Sequence, residues 1–243
     1  MSNTEQKDDT YALYETWKKW DQEPFGSFTK KQHFYFRKMM ASSLSDGIIS
    51  TSFAVLEIGF GNGAFAGWLH QKHPQITWTG IERQLSLVEK AKKSGFYAMS
   101  ELSGQVIPHQ FDLIVAFDVL EHLSDQEITE FFAKALVLVK PHGLCLARVP
   151  NAGGPFGLPN QTGDPTHITP ISISRLESYL DQWDIAETGD IQPIWEGKVL
   201  SAFRNALRLT VRAFISTLIR FAFAPQPKTL LASNLHITLR PKK

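Results

Sequence analysis

The chain of 243 residues holds a single cysteine, Cys145, so no disulfide can form within it, which fits a reducing compartment. In the apolar run GLCLARVP that cysteine reads as a buried, inert thiol. Uncharged apolar runs long enough to cross a bilayer, about 18 residues, are missing. The start, MSNTEQKDDT, lacks the apolar stretch of a secretory signal. A cytoplasmic protein is expected, with peripheral contact at the inner face of a membrane left open. An excess of one charge is lacking too. The 25 Lys and Arg against 24 Asp and Glu leave a net charge of +1, so no global field draws nucleic acid. There is no internal repeat and no low-complexity tract, and 43% hydrophobic residues suffice for one sizeable core.

Short apolar runs alternate with helical stretches from residue 53 onward. FAVLEIG, QITWTGIE, a weak stretch near Tyr97–Met99, FDLIVAFDVL and GLCLARV read as strands. Between them, residues 64–72 form a helix stopped near Pro74, and LSLVEKAKK forms another, with Gly95 placed to cap it. Ser124 and Glu127 have capping-box spacing, and Ile128, Phe131, Phe132, Ala135, Leu136 and Val139 then recur at helical spacing until Pro141 and Gly143. A Gly/Pro loop runs from 150 to 170, a helix from Ser172 to Gln182, a strand over Asp184–Pro193, an apolar helix over 199–223, and NLHITLR closes the chain as a strand. Repeated strand–helix–strand units predict an α/β fold with a doubly wound, mostly parallel, seven-stranded sheet. The expected organisation is a helical N-terminal cap over 1–50, with YALYETWKKW and KQHFYFRKMM as its main pieces. A binding domain follows over 51–243, with a helical insertion over 197–225 before the last strand.

LEIGFGNG sets Gly59, Gly61 and Gly63, with Phe60 among them, between a strand and a helix. Such glycines permit a tight turn and close approach of backbone to ligand, although a purely structural turn has the same look. The spacing is G-x-G-x-G, not the G-x-G-x-x-G of dinucleotide binders. Glu57 ends the preceding strand, where a carboxylate repels pyrophosphate and attracts a cation. Glu82 ends the next strand, where an acid can accept both ribose hydroxyls. A nucleoside with a positively charged tail and no phosphates suits these residues, and S-adenosyl-L-methionine has that form.

LEIGFGNG, GIE, FDLIVAFDVLEHL and LVKPHG together resemble the successive motifs of class I S-adenosylmethionine-dependent methyltransferases, over roughly residues 53–150. The resemblance implies the Rossmann-like methyltransferase fold, and a Gly59–Gly63 backbone cradling the methionine part with Glu57 nearby. It also implies Glu82 on the ribose and adenine near Arg83, Ser100 and Glu101, although YAMSELSG lacks the usual aspartate. Asp118 and His122 follow a strand whose end, in that family, faces the methyl-donor sulfur and the acceptor. Asp118 could instead cap a loop, and Glu121 and His122 could be structural.

A hydroxyl acceptor must lose its proton, and an imidazole suits that task near neutral pH. Of the eight histidines, His122 and His167 follow strands whose carboxyl ends should border the donor. VPNAGGPFGLPNQTGDPTHITP further resembles a loop of methyltransferases in bacterial surface-polysaccharide biosynthesis, in which G-D-P-T-H recurs. That likeness implies a glycan acceptor carried on a lipid or nucleotide. Asp164, His167 and Asn151 would then lie on the acceptor side, with His167 (or His122) as base. A proline-framed turn whose Asp and His satisfy backbone groups is the plainer alternative. No spacing supports a metal site from Asp118, Asp164 and His167, and none is expected.

Arg204, Arg208, Arg212 and Arg220 punctuate an apolar segment that has no acidic residue, as in helices that lie on anionic membranes. A lid helix packed on the domain, or arginines binding an acceptor phosphate, would look similar. The leading expectation is O-methylation of a sugar hydroxyl of a surface polysaccharide or its precursor. The alternatives are O-methylation of a small lipophilic acceptor such as a quinone precursor, and a non-catalytic donor-binding regulator; the N-terminal aromatics could wall either acceptor.

Overall fold

The computed structural model describes residues 18–43, 53–102, 107–189, 199–223 and 231–242. Seven strands form one sheet: β1 (Ala54–Ile58), β2 (Thr77–Ile81), β3 (Ala98–Met99), β4 (Phe111–Phe117), β5 (Val139–Pro150), β6 (Trp183–Gly189) and β7 (Asn234–Pro241). Their order is β3-β2-β1-β4-β5-β7-β6. Only β7 runs antiparallel to its neighbours, β5 and β6. The order reverses between β1 and β4, and in open α/β sheets that switch point, beyond the carboxyl ends of the strands, is where a ligand crevice opens.

Helices α1 (Lys30–Ser43), α2 (Ala64–Lys72), α3 (Leu85–Lys93), α4 (Asp125–Leu138), α5 (Leu158–Thr162), α6 (Ile173–Glu177) and α7 (Val199–Phe223) join them. The capping box of α4 is formed: the Ser124 side chain accepts from the Glu127 amide, and the Glu127 carboxylate accepts from the Ser124 amide. Gly95 takes φ 84° just past α3, as a terminating glycine should. Helix α1 is part of the core. Tyr35, Phe36, Met39 and Met40 are buried with Val55, Phe65, Trp68, Val115 and Leu146. Cys145 is fully buried in the opposite layer, and burial pushes its thiol up to about 12.

Three expectations need correction. Helix α4 does not reach Pro141 and Gly143. It ends at Leu138, and both residues lie inside β5. They sit where the β4–β5 register shifts between Phe111 and Leu113, so the missing proline amide costs no regular ladder bond. Second, the Gly/Pro loop contains α5, because Pro159 falls in a first helical turn, where its lost N–H is not needed. Third, the helix after Ser172 stops at Glu177, short of Gln182, although Ser172 does cap it by accepting from the Arg175 amide. β6 is described only to Gly189. The rest of the expected strand to Pro193, most of YALYETWKKW, and residues 197–198 and 224–225 of the insertion lie outside the described residues.

Helix α7 exposes apolar groups along its length. Phe203, Leu207, Val211, Phe214, Leu218 and Phe221 are each at least 45% exposed and fall within roughly 80° of one another at 100° per residue. No helix among the described residues is long and apolar enough to cross a membrane.

The turn before α1 is seated on α2 by two glycines. The Gly26 amide donates to the Asn62 carbonyl at 2.8 Å, and a Cβ on Gly67 would lie 2.0 Å from the Gly26 oxygen. Alanine in a helix interior normally gains about 1 kcal/mol over glycine. Gly67→Ala should nevertheless lower the urea midpoint, by an amount equivalent to roughly 1–3 kcal/mol. An unchanged or raised midpoint would show that this seat does not form.

Candidate functional site

β1 leads into Gly59, Gly61 and Gly63, which take φ of 69°, 54° and 72°. Side chains rarely adopt such angles, so glycine is required for this path. Glu82, at the end of β2, holds the turn open. Its carboxylate accepts from the Gly61 amide at 3.0 Å and from the Gln84 amide at 3.1 Å. The turn is also covered. A Cβ on Gly61 would fall 2.7 Å from the Trp20 ring, and one on Gly63 would fall 2.2 Å from the Phe25 ring. The N-terminal aromatics therefore divide. Trp20, Phe28 and Phe36 reach the cleft wall, whereas Phe25 packs among Phe60, Trp78 and Phe96.

Glu57 is buried and accepts a hydrogen bond from Trp78 Nε1 at 2.9 Å. Burial pushes its carboxyl up to about 8, against the Trp78 bond and with help from the Glu82 charge. At neutral pH the protonated form therefore prevails.

β4 ends at Phe117, and the next residue, Asp118, has a φ of 55° that is unusual for a residue with a side chain. Arg148 of β5 holds it there, with Nε and Nη2 both donating to the carboxylate. The Arg148 guanidinium also stacks 4.8 Å from the Tyr35 ring centroid and 5.4 Å from that of Phe117. A charged residue within the apolar strand LARVP was the signal for this partner.

A 3-10 turn, Leu120–His122, follows. The Glu121 carbonyl accepts from the amides of Ile168 and Thr169 at 2.9 and 3.0 Å, which fastens the loop after β5 to the turn after β4. Asp164 accepts from the amide and hydroxyl of Thr166, forming an Asx-turn. Burial opposes ionisation of Asp164, but those bonds, His167 and Lys18 outweigh it and hold the carboxyl below its usual range. Lys18 Nζ lies 3.8 Å from Asp164.

Two imidazoles meet above this loop, with centroids 4.7 Å apart at 71°. His167 Nε2 lies 3.8 Å from the Glu121 carboxylate and 3.7 Å from that of Asp164. His167 Nδ1 faces the Gln161 carbonyl at 3.2 Å, and His122 Nδ1 faces the Thr166 hydroxyl at 2.9 Å and the Thr166 carbonyl at 3.2 Å. Burial, then the neighbouring His167, lower the His122 pKa. Glu121 is fully buried, and among the described residues neither of its carboxylate oxygens has a hydrogen-bond partner. Burial raises its carboxyl pKa well above the ordinary value, and the charge of Asp118 adds to this.

These groups border one open cleft of about 1660 Å³. Glu57, Gly59, Phe60, Glu82, Arg83 and Ser100 lie on one part of its wall, and Asp118, His122, Asp164 and His167 on another. Gly61 and Gly63 shape the turn without lining the cleft. Glu101 is exposed and outside it. Asn151 is also outside it, buried, with its amide donating to the Ala232 carbonyl and accepting from the Gly153 amide. Its identity serves the chain path after β5. Arg148 and Glu121, which line the cleft, and Thr166, buried behind it, are the groups that the sequence alone left without a functional role.

A family model described as a methyltransferase domain matches residues 28–195. By sequence, no curated protein matches the chain. Among solved structures, a plantazolicin methyltransferase, BpumL, in complex with a triazolic desmethylPZN analogue and SAH, is similar at a TM-score of 0.59 and 16% identity, covering 98% of each chain. An SAM-dependent methyltransferase from Archaeoglobus fulgidus is similar at a TM-score of 0.54 and 17% identity, covering 84% of this chain and 93% of that one. Coclaurine N-methyltransferase bound to N-methylheliamine and SAH is similar at 0.53 and 12%, covering 84% and 70%. At these identities the likeness is one of fold.

The raised carboxyl of Glu57 has a thermodynamic consequence. The folded protein keeps a proton there that the unfolded chain releases above the ordinary value of 4.5, so stability falls as pH rises from about 4.5 towards 8. Glu57→Gln keeps the Trp78 bond and removes this loss. Its melting temperature should gain several degrees on the parent between pH 5 and pH 8, at roughly 2–4 °C per kcal/mol. Parallel profiles would contradict the raised carboxyl.

Proposed function

Because the chain belongs to the methyltransferase-domain family, we propose that this S-adenosylmethionine-dependent enzyme methylates an oxygen, a sugar hydroxyl of a bacterial surface polysaccharide or of its lipid- or nucleotide-linked precursor. One observation carries the reading. The imidazole–carboxylate pocket of His122, His167, Asp164 and Glu121 opens into the same cleft as the glycine turn, Glu57 and Glu82. A single small ligand fills about 300–1,000 Å³, so this cleft has room for a donor and an acceptor together.

The donor half suits the sulfonium compound. Glu57 supplies a buried carboxyl that ionises against a cation, Glu82 a ribose acceptor beside the turn, and Arg83 with Ser100 the wall for the base. Methyl transfer is an in-line displacement. The hydroxyl oxygen forms a bond to the methyl carbon as the carbon–sulfur bond breaks and sulfur leaves as a neutral thioether. Holding the two in line accounts for much of the acceleration. The hydroxyl proton passes to an imidazole. The carbonyl facing His167 Nδ1 requires a proton on that nitrogen, which leaves Nε2 as the basic atom. Asp164, held ionised 3.7 Å from Nε2, then stabilises the imidazolium. A preformed base is of use to an alcohol acceptor and of none to an acceptor that is already anionic.

Helix α7 supports a lipid-carried acceptor. Its exposed apolar stripe, arginines and lack of acidic residues suit the surface of an anionic membrane, with the apolar side chains among the acyl chains.

The test is transfer of labelled methyl from S-adenosylmethionine to lipid-linked glycans, nucleotide sugars and quinone precursors. Label should enter a glycan, and His167→Ala should cut turnover by about 100-fold or more while leaving donor affinity within a few-fold. Label entering only the quinone precursors, or donor binding without transfer to any acceptor, would reject the reading. In a separate sedimentation assay the chain should pellet with phosphatidylglycerol vesicles. Replacing Phe203, Phe214 and Phe221 by Ser should abolish this. Equal pelleting of both forms would reject membrane contact.

A further inference from the structure

The acceptor half of the cleft contains a group that the hydroxyl chemistry leaves unexplained. Glu121 is fully buried, and among the described residues both of its carboxylate oxygens lack hydrogen-bond partners. The nearest guanidinium, Arg148, is committed to Asp118 through two donors, and Lys18 sits beside Asp164. A buried carboxylate is costly unless it is paired, hydrogen-bonded or bound to a cation. What faces Glu121 is imidazole, with His167 Nε2 3.8 Å away.

We infer that Glu121, His122 and His167 form a binding site for a divalent transition-metal ion, with Asp164 beside it. One ligand atom from each of the three lies within 4.8 Å of the other two. Bonds of about 2.0–2.2 Å to nitrogen and oxygen set ligand atoms roughly 3–4 Å apart, and slight inward rotation of the side chains closes the difference. The histidines are prepared for this. His167 directs Nδ1 at the Gln161 carbonyl, and His122 directs Nδ1 at the Thr166 carbonyl and at the Thr166 hydroxyl, whose own hydrogen goes to Asp164; these acceptors hold the N–H and leave Nε2 with a lone pair. Metal-ligating histidines show this outer arrangement almost always. Two nitrogens and one carboxylate favour ions of the zinc and cobalt kind over magnesium or calcium, which take oxygen.

The donor set comes from two loops, residues 121–122 after β4 and residue 167 after β5, already joined through the Glu121 carbonyl. Three protein ligands leave a coordination position for a fourth group, as in catalytic rather than structural sites. The use of that position rests on the acceptor reading above. An alcohol bound there loses its proton to water more readily, because the cation stabilises the alkoxide. The alkoxide then takes the methyl carbon as before. The imidazoles serve as ligands in this form, and the proton goes to solvent.

The full chain, stripped with EDTA and dialysed, is titrated with cobalt(II) chloride and followed by visible absorption and by metal analysis. One Co²⁺ per chain is expected, displaced by Zn²⁺. Glu121→Gln is nearly isosteric and should weaken Co²⁺ binding by about 100-fold, as should His122→Gln, with S-adenosylmethionine affinity within twofold as the check on folding. Absence of Co²⁺ binding to the parent chain, or equal binding by parent and variants, overturns the site. The labelled-methyl assay is then run with EDTA and with Co²⁺ or Zn²⁺ restored. Transfer to a glycan that is lost and regained with metal supports the role. Transfer unchanged by EDTA overturns it and leaves the imidazole-base reading standing, whereas Co²⁺ bound without transfer to any hydroxyl leaves the site standing and removes the acceptor reading.

Discussion

The carbonyl oxygen of Glu121 accepts two amide hydrogens, those of Ile168 and Thr169, and much of the cleft is arranged around that junction. Without it, the turn after β4 and the loop after β5 would be separate segments, each free to move. With it, His122 and His167 meet at 4.7 Å and the side chain of Glu121 points where solvent cannot follow. The prolines and the Asx-turn at Asp164 reduce what ordering the loop costs on folding. The two parts of the cleft thus differ in how they are held. Glycines in left-handed conformations shape the wall beside β1 and β2, and side chains clasped to backbone carbonyls shape the wall beside β4 and β5.

Legibility in the sequence followed the range of the interactions involved. The strand runs, the capping box at Ser124 and the glycine turn are local signals, and each has its expected place. Misreadings arose where a distant partner decided the outcome. Pro141 and Gly143 look like a helix stop, yet a shift of register against β4 lets β5 pass through them. Pro159 looks like a loop residue until the chain places it in a first helical turn. Asn151 reads as a polar group at a strand end, but its partners Ala232 and Gly153 are turned away from the cleft. Glu121 was hardest to value. A carboxylate next to a histidine at a strand end has no visible burial until the loop from 164 to 169 is laid over it.

The N-terminal region shows the same lesson from the other side. Its aromatic residues could be read as a wall for an acceptor. They divide: Trp20, Phe28 and Phe36 reach the cleft wall, Tyr35 and Phe36 enter the core, and Trp20 and Phe25 touch glycines that could carry no side chain. The domain that binds the donor therefore includes the helix that precedes β1, and the matched family segment also begins before that helix, at residue 28.

Gly189, the last residue of β6, is paired in register with His236 near the start of β7. The chain leaves the sheet at one point and returns to the same point, and two antiparallel neighbours can be joined by a turn of two residues. The stretch from 190 to 231, α7 included, is therefore topologically optional. It can lengthen, shorten or be exchanged without disturbing the order of the strands, provided that Ala232 and Ser233 keep their bonds to Asn151. The sheet that carries the cleft and the segment that carries α7 are in this sense separate modules of one polypeptide, open to independent change over evolutionary time and open to grafting in the laboratory.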